Sequence, residues 1–391
     1  NKRLTVWLPV IIAASIALGI FIGNHYLSIS QGKKRSYSSG NKINAILDII
    51  DEQYVDTVSM SKLVESTIPK IFSELDPHSV YIPAEDASVV NEELEGSFSG
   101  IGVSFNMQTD TILVISVISG GPAEKAGLLP FDRIISINDS IFSGKKKNQG
   151  EIMKTLRGAK NSTVKLGVQR GNSPELLYFD VTRGDVPVNS VDVSFEAAKG
   201  IGYIKVSKFA RNTYNEFITA IAKLKQAGCT SFVIDLRGNT GGYMDAAINM
   251  INEFMPEGRL IVYTEGKSFP RSDVYANGTG TCKDAPIVVL TDEISASASE
   301  IFSGAIQDND RGTIIGRRTY GKGLVQTQMS LSDGSEMRLT IARYYTPSGR
   351  CIQKKYEMGN TDAYDQDIYN RYMHGEFDSV SYTHLTLPTI A

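Results

Sequence analysis

At 391 residues the chain is long enough for two or three domains, each with a core of its own. Its composition is that of a globular protein, 41% apolar and 21% charged with 35 glycines, and a net charge of −3 gives no reason to expect nucleic acid as a partner. Three cysteines, Cys229, Cys282 and Cys351, are odd in number and far apart, so they form neither a disulfide framework nor a CxxC metal site and read as small buried apolar residues.

Taken in chain order, Lys2 and Arg3 precede LTVWLPVIIAASIALGIFIG (residues 4–23), a run without a charge. At about 1.5 Å per residue it spans a hydrocarbon core of roughly 30 Å. SIA at 15–17 offers a signal-peptidase site, but the apolar run continues to Phe21 and Ile22, which favours an uncleaved anchor over a cleaved signal. Basic residues before the span place the rest of the chain outside the cytoplasm. The expectation is an anchor or signal segment over 1–27 and a polar linker over 28–40. The chain does not begin with Met, so its first residue need not be the native start.

From Asn41 to Leu75, apolar residues recur at helical spacing: Ile43, Ile46, Leu47, Ile50, then Leu63, Val64, Ile68, Ile71 and Phe72. Two or three amphipathic helices are predicted, ending at ELDPHSVYIP (74–83), where Asp-Pro breaks the pattern. The helical segment is drawn over 41–96.

From Ser97 to about Arg183 the period shortens to strands: GIGVSFNM, TILVISVI, DRIISIND, TVKLGVQR and LLYFDVTR. Helical pieces fall at PAEKAGL (122–128) and near 148–158. This order over 97–184 resembles a PDZ domain, a small partly open β-barrel. SGIGVSF (99–105) looks like its carboxylate-binding loop and the following strand, which makes Gly100, Ile101, Gly102 and Val103 the candidate peptide-binding residues. Glycines there free N–H groups to cup a terminal carboxylate, and an exposed strand edge pairs with the peptide. GIG alone would read as an ordinary turn; the downstream pieces carry the resemblance.

From Gly200, near-continuous apolar strands alternate with helices: IGYIKVS, helix 212–227, SFVIDLRG, helix 243–254, LIVYTEG, APIVVLTD, helix 297–308 and GTIIGR. Buried strands between helices mean an α/β layer arrangement. Residues 324–347 alternate on both sides of SDGS and predict a β-hairpin. The core is drawn over 185–356. The remainder, 357–391, reads as an incomplete C-terminal segment. VSYTHLTLPTIA (380–391) continues nothing before it, so native sequence is expected to stop near Ser379.

The chemistry concentrates in ISASASEIFSG (294–304), where Ser295, Ser297 and Ser299 follow a buried strand and open a helix. SASE (297–300) also matches a capping box, so a cap and a nucleophile compete for the same serine. A positive helix terminus suits both, because it favours a developing oxyanion. The pattern leaves all three serines open. Histidine is scarce: His25 follows the apolar span, His374 and His384 lie in terminal segments, and His78 sits after a proline turn that suits a structural hydrogen bond. No G-x-S-x-G elbow is present, so a Ser–His triad is disfavoured and lysine is the remaining partner.

Lys322, in GRRTYGKGLVQ (316–326), is the candidate base, flanked by Gly321 and Gly323. Gln326, four residues on, could fix its amine without adding charge. To act as a base the lysine must be neutral, and lowering its pKa from about 10.4 by about three units costs roughly 4 kcal/mol. GRRTYGKG nearly matches a P-loop, but Gly323 stands where the Mg²⁺-binding hydroxyl belongs and a strand follows instead of a helix. SMSK (59–62) and SGKK (143–146) match S-x-x-K with no KTG after them and read as chance. DLRGNTGGYMDAA (235–247) offers a glycine-rich strand-to-helix turn, with Gly241 and Gly242 as oxyanion-hole candidates and the N–H of Ala298 as a further donor.

LDPHSVYIP, the PDZ-like insert, DLRGNTGG, SASASEIFSGAIQD and RTYGKGLVQ stand in the order seen in carboxyl-terminal processing peptidases (tail-specific proteases), a resemblance that runs from about Asn41 to about Gln353. It implies a ClpP/crotonase-like α/β core with an inserted PDZ domain, and Ser–Lys endoproteolysis. The family's nucleophile falls on Ser297, its general base on Lys322 and the supporting residue on Gln326. It further implies protein substrates with free apolar C-termini, an adaptor or activating partner, no metal or organic cofactor, and a membrane-anchored place in a bacterial envelope with the catalytic part periplasmic. Members usually continue past the YYTPSGR hairpin into a segment that is not visible here. The other readings are a non-catalytic PDZ scaffold of the envelope, or a crotonase-type enzyme acting on acyl thioesters.

Overall fold

The computed structural model describes residues 15–16, 39–108, 111–144 and 149–382. The expected anchor lies outside them except for positions 15 and 16, and among the described residues no helix is long and apolar enough to cross a membrane. The chain divides into two compact units, 1–67 and 68–391. In the first, helix α1 (Ser39–Gln53) carries an exposed apolar stripe of Ile43, Ile46 and Ile49. Helix α2 (Met60–Ser73) holds Pro69 in its interior and stops just before the Asp-Pro turn.

The second unit, which begins at Ile68 within α2, continues with β1 (Val80–Ile82) and α3 (Ala84–Glu95), which Gly96 ends in a left-handed conformation. A small barrel follows: β2 (Ser97–Gly100), β3 (Val103–Gln108), β4 (Thr111–Val117), α4 (Pro122–Ala126), β5 (Arg133–Ile137), β6 (Ser140–Ile141), α5 (Gln149–Leu156), β7 (Thr163–Gln169), β8 (Leu177–Thr182) and β9 (Gly184–Pro187). Its main sheet runs β3-β4-β5-β7-β8, so β3 is an edge strand with one neighbour. Alternation along the strands buries Val114, Ile134, Leu166 and Val168 against Ile152 of α5. Arg183 donates to the carbonyls of Thr155 and Leu156, satisfying acceptors that the end of α5 leaves open.

The core then alternates: β10 (Val191–Ala198), β11 (Ile201–Val206), α6 (Thr213–Gln226), β12 (Ser231–Asp235), α7 (Met244–Asn252), β13 (Leu260–Glu265), β14 (Ser272–Tyr275), β15 (Ile287–Thr291), α8 (Ala298–Asp308), β16 (Thr313–Gly316), β17 (Leu324–Ser330) and β18 (Glu336–Tyr345). Strands β11, β12, β15 and β16 are parallel neighbours, with β10 antiparallel at one edge. Because both faces of such a sheet are covered, its strands read as apolar runs, and Ile204, Phe232, Ile234, Val289 and Ile314 are buried. Phe254 sits among Phe217, Phe232 and Phe302 at ring-centroid distances of 6.2 to 6.5 Å. Helix α8 is buried from Ala298 to Gln307, on all its faces.

A second sheet orders as β1-β18-β13-β14, with β17 also on β18. The chain closes with α9 (Asp362–Asp365), α10 (Asp367–Met373) and β19 (Ser381–Tyr382). The last pairs antiparallel with β16, so two residues of the segment read as foreign extend the core sheet; residues 383–391 lie outside the described ones.

Candidate active site

Three adjacent parallel strands, β12, β15 and β16, end at the same side of the sheet. The loops that follow them are 236–243, 292–297 and 317–323. In open α/β sheets, carboxyl-terminal loops of this kind converge into a site. Here they are stitched together. The Ala296 N–H donates to the Asn239 carbonyl at 3.0 Å, Gly238 N–H to the Asp292 carboxylate at 2.9 Å, and Tyr320 N–H to the Ser295 carbonyl at 2.9 Å. Asn239 is wholly buried and its amide donates to the Val206 carbonyl at 3.0 Å.

The three serines separate by environment. Ser295 is buried and its hydroxyl donates to the Leu236 carbonyl at 2.8 Å. Ser299 is buried and donates to the Asn239 carbonyl at 2.9 Å. Ser297 is half-buried and lines a cleft of about 860 Å³ together with Lys322, Gln326, Gly241, Gly242 and Arg338. Its backbone is strained, with φ 54° and ψ −112°, a region L-residues rarely adopt.

Glu300, three residues on, is buried completely. One of its carboxylate oxygens accepts from the Thr319 hydroxyl (2.7 Å) and Gly321 N–H (2.7 Å), the other from Ser297 N–H (2.9 Å) and Lys322 N–H (2.8 Å). The glutamate half of the capping box therefore also grips the lysine loop. Burial pushes its pKa up to about 7, against these four donors.

Lys322 is largely enclosed. Burial holds its pKa below the ordinary lysine value and Arg338 pushes the same way, while Asp76 and Glu300 oppose. Asp76 belongs to the Asp-Pro turn, where it accepts from the N–H groups of His78 and Ser79 and from the hydroxyls of Ser79 and Thr340. His78 stands beside it with Nε2 2.7 Å from the Tyr364 hydroxyl. Burial and then Lys322 pull the histidine's pKa down to about 4, so it is neutral at pH 7. The Gln326 amide donates to the His78 carbonyl, so its recorded bond reaches the turn beside the lysine rather than the amine.

The oxyanion-hole expectation needs a correction. The Gly241 N–H donates to Asn239 Oδ1 at 2.8 Å and is already committed. Gly241 acts through space instead: its φ is 102°, and a Cβ there would lie 2.7 Å from Ser297 Cβ. No hydrogen bond of the Gly242 or Ala298 N–H is recorded among the described residues, so these two remain as donors. Asn239 was missed in the sequence, although N-x-G is the signature of a side chain bonding its backbone two residues on.

The candidate tail-binding residues lie at the start of the barrel. Ile101 is buried, and its carbonyl accepts from Ala123 N–H at 2.7 Å; Gly102 has φ 77°, and the Gly102 carbonyl accepts from Ile118 N–H at 3.0 Å. Gly100 pairs with Gly184, and Val103 begins the open edge strand β3. The barrel also reaches the cleft that Ser297 and Lys322 line: Phe98 and Arg157 border it, the guanidinium 4.5 Å from the ring centroid.

A model described as peptidase family S41 matches residues 200–362, and a PDZ domain model matches residues 99–192. The chain is 35% identical over 318 residues to the carboxy-terminal processing protease CtpB of Bacillus subtilis, covering 81% of this chain and 66% of that protein. It is 33% identical over 355 residues to a probable CtpA-like serine protease of Staphylococcus aureus, covering 89% and 70%. The chain thus spans about two thirds of the length of these relatives. Among solved structures, a photosystem II D1 C-terminal processing protease is 28% identical, with 81% of this chain and 91% of that one covered and a TM-score of 0.45. By the sequence matches the chain belongs to peptidase family S41.

Proposed function

We propose that this protein is a serine endopeptidase that captures the free C-terminus of a protein substrate in its PDZ domain and cleaves with a Ser297–Lys322 dyad. The observation that carries the reading is the sorting of the serines. Two hydroxyls are buried and bound to backbone carbonyls, whereas Ser297 shares the cleft with an enclosed lysine.

In the proposed reaction the neutral amine of Lys322 takes the proton of the Ser297 hydroxyl as its oxygen attacks the scissile carbonyl. Gly242 and Ala298 N–H groups receive the developing oxyanion. The protonated lysine then gives its proton to the leaving amine. Water, deprotonated by the same lysine, attacks the acyl-enzyme, and the lysine returns that proton to the Ser297 oxygen as the ester bond breaks and the acyl chain leaves. Gln326 supports the lysine by holding the His78 turn in place. Tail capture rests on the left-handed Gly102 and on the open edge of β3, which can accept one more strand. We also propose that the apolar run at 4–23 anchors the protein, with the catalytic part on the extracytoplasmic side of a bacterial envelope.

The test is cleavage of a disordered polypeptide ending in an apolar free carboxylate, by the full chain beside its Ser297→Ala variant. The same polypeptide with an amidated C-terminus is run in parallel. Cleavage lost in the variant and weakened by amidation is expected. Tail binding without cleavage, and no labelling of Ser297 by a serine-reactive fluorophosphonate, would favour the PDZ scaffold reading instead.

A further inference from the structure

The loop that carries Lys322 is gripped from outside as well as from within. On its inner side stands Glu300. On its outer side stands Arg371 of helix α10, only 5% exposed. Its guanidinium donates to the Thr319 carbonyl at 3.2 Å and to the Arg318 carbonyl, while Nε donates to Glu376 at 3.0 Å. Glu376 in turn takes two hydrogen bonds from Arg318, at 3.0 and 2.9 Å. Thr319 is therefore held at both ends: its carbonyl by Arg371, its hydroxyl by Glu300 at 2.7 Å. Three residues later comes the lysine.

We infer that Arg371 is a positioning residue for Lys322, setting the loop 318–322 so that the amine faces Ser297. The inference rests on the dyad reading. Two successive carbonyls of a buried loop need donors, and a planar guanidinium supplies two of them and still pairs with a carboxylate. A lysine at 371 offers a point charge and cannot span both carbonyls and Glu376 at once. Glu376, tied to both Arg318 and Arg371, keeps the fork from turning away. Sequence distance hides the arrangement, because helix α10 lies about fifty residues beyond the loop.

The experiment uses the full chain and its Arg371→Ala, Arg371→Lys and Glu376→Gln variants. It measures kcat and KM on the tailed polypeptide, fluorophosphonate labelling of Ser297, and the urea midpoint. Arg371→Ala is expected to lose about 100-fold in kcat, the scale of a one-ångström misplacement, with KM near that of the native chain. Labelling should slow in parallel. Added guanidinium ion should restore part of the rate and ammonium should not. Glu376→Gln, a milder change, should lower kcat in the same direction. Activity that falls only in proportion to the unfolded fraction, or a rise in KM alone, would overturn the role of Arg371. An active native chain with an equally active Arg371→Lys would do the same and leave the dyad standing. A native chain that neither cleaves nor labels any better than Ser297→Ala would overturn the dyad reading and this inference together.

Discussion

Ser297 and Lys322 present their backbone N–H groups to one oxygen atom: Glu300 Oε2 accepts from the first at 2.9 Å and from the second at 2.8 Å. A single buried carboxylate thereby fixes the spacing of the two loops that carry the proposed nucleophile and base. Glu300→Gln keeps the shape but turns an NH₂ group toward backbone donors. It should abolish most cleavage and cost about 1–3 kcal/mol for each donor left unpaired, read from the urea midpoint.

The same carboxylate gives a pH signature in stability. Its pKa in the folded protein is about 7, above the ordinary carboxylate value, because burial disfavours the charge. Between those two values the folded state holds more protons than the unfolded state. Its contribution to stability is therefore full at acid pH, declines as pH rises toward about 7, and stays at its lower level above that. Urea unfolding across this window should show the decline, and Glu300→Gln should remove it.

Serine substitutions should sort by environment. Ser297→Ala should lose cleavage at a cost of no more than about 1 kcal/mol, the loss of the serine half of the capping box. Ser295→Ala and Ser299→Ala each remove one hydrogen bond from a buried carbonyl that keeps a backbone donor, costing about 0.5–1.5 kcal/mol, and should still cleave while folded. Fluorophosphonate labelling followed by peptide mapping checks the assignment directly.

Activity should climb with pH as Lys322 loses its proton. Burial sets this limb first, then Arg338 on β18, with Asp76 in the Asp-Pro turn and Glu300 on α8 opposing. Arg338→Met removes the cation that helps keep the amine neutral, so the lysine holds its proton longer. The acid limb of the rate profile should move to higher pH. A shift to lower pH would refute the electrostatic account.

Gly241→Ala places a methyl group 2.7 Å from Ser297 Cβ, at a φ of 102°. It should displace the serine, cost about 1–3 kcal/mol and lower kcat. Gly228→Ala, at φ 95° with nothing within 4 Å, is the control: a cost of about 1 kcal/mol and retained cleavage.

The layers and their order were legible because apolar runs bounded by glycine are local facts. The core strands and helices fall where the sequence put them. Strand β10 was not foreseen, although Val191, Val193 and Phe195 alternate with polar residues: the core strands are read only from Gly200 onward, where the apolar runs are near-continuous. This strand, with seven of its eight residues exposed, pairs with β11 at the sheet edge. The site was legible as a set of loops but not as a set of contacts. Alternation put Ser295, Ser297 and Ser299 on equal terms, and the folded backbone separated them by turning the middle one out at a positive φ. The commitment of the Gly241 N–H to Asn239 overrode its reading as an oxyanion donor. Arg371 gave no signal and Asp76 only that of a turn, because each meets the lysine loop or its neighbourhood only after long chain segments have come together.

Those long separations carry a temporal consequence. The His78–Tyr364 contact closes 286 residues of chain, and the Asp76–Thr340 contact closes 264. The surroundings of the proposed nucleophile therefore cannot be complete until the C-terminal helices have been made and docked. Pairings this remote in sequence are among the last and slowest to form. On the proposed reading, a newly synthesised chain would pass through most of its folding as an inert polypeptide, unable to cut its neighbours or itself until the molecule has closed.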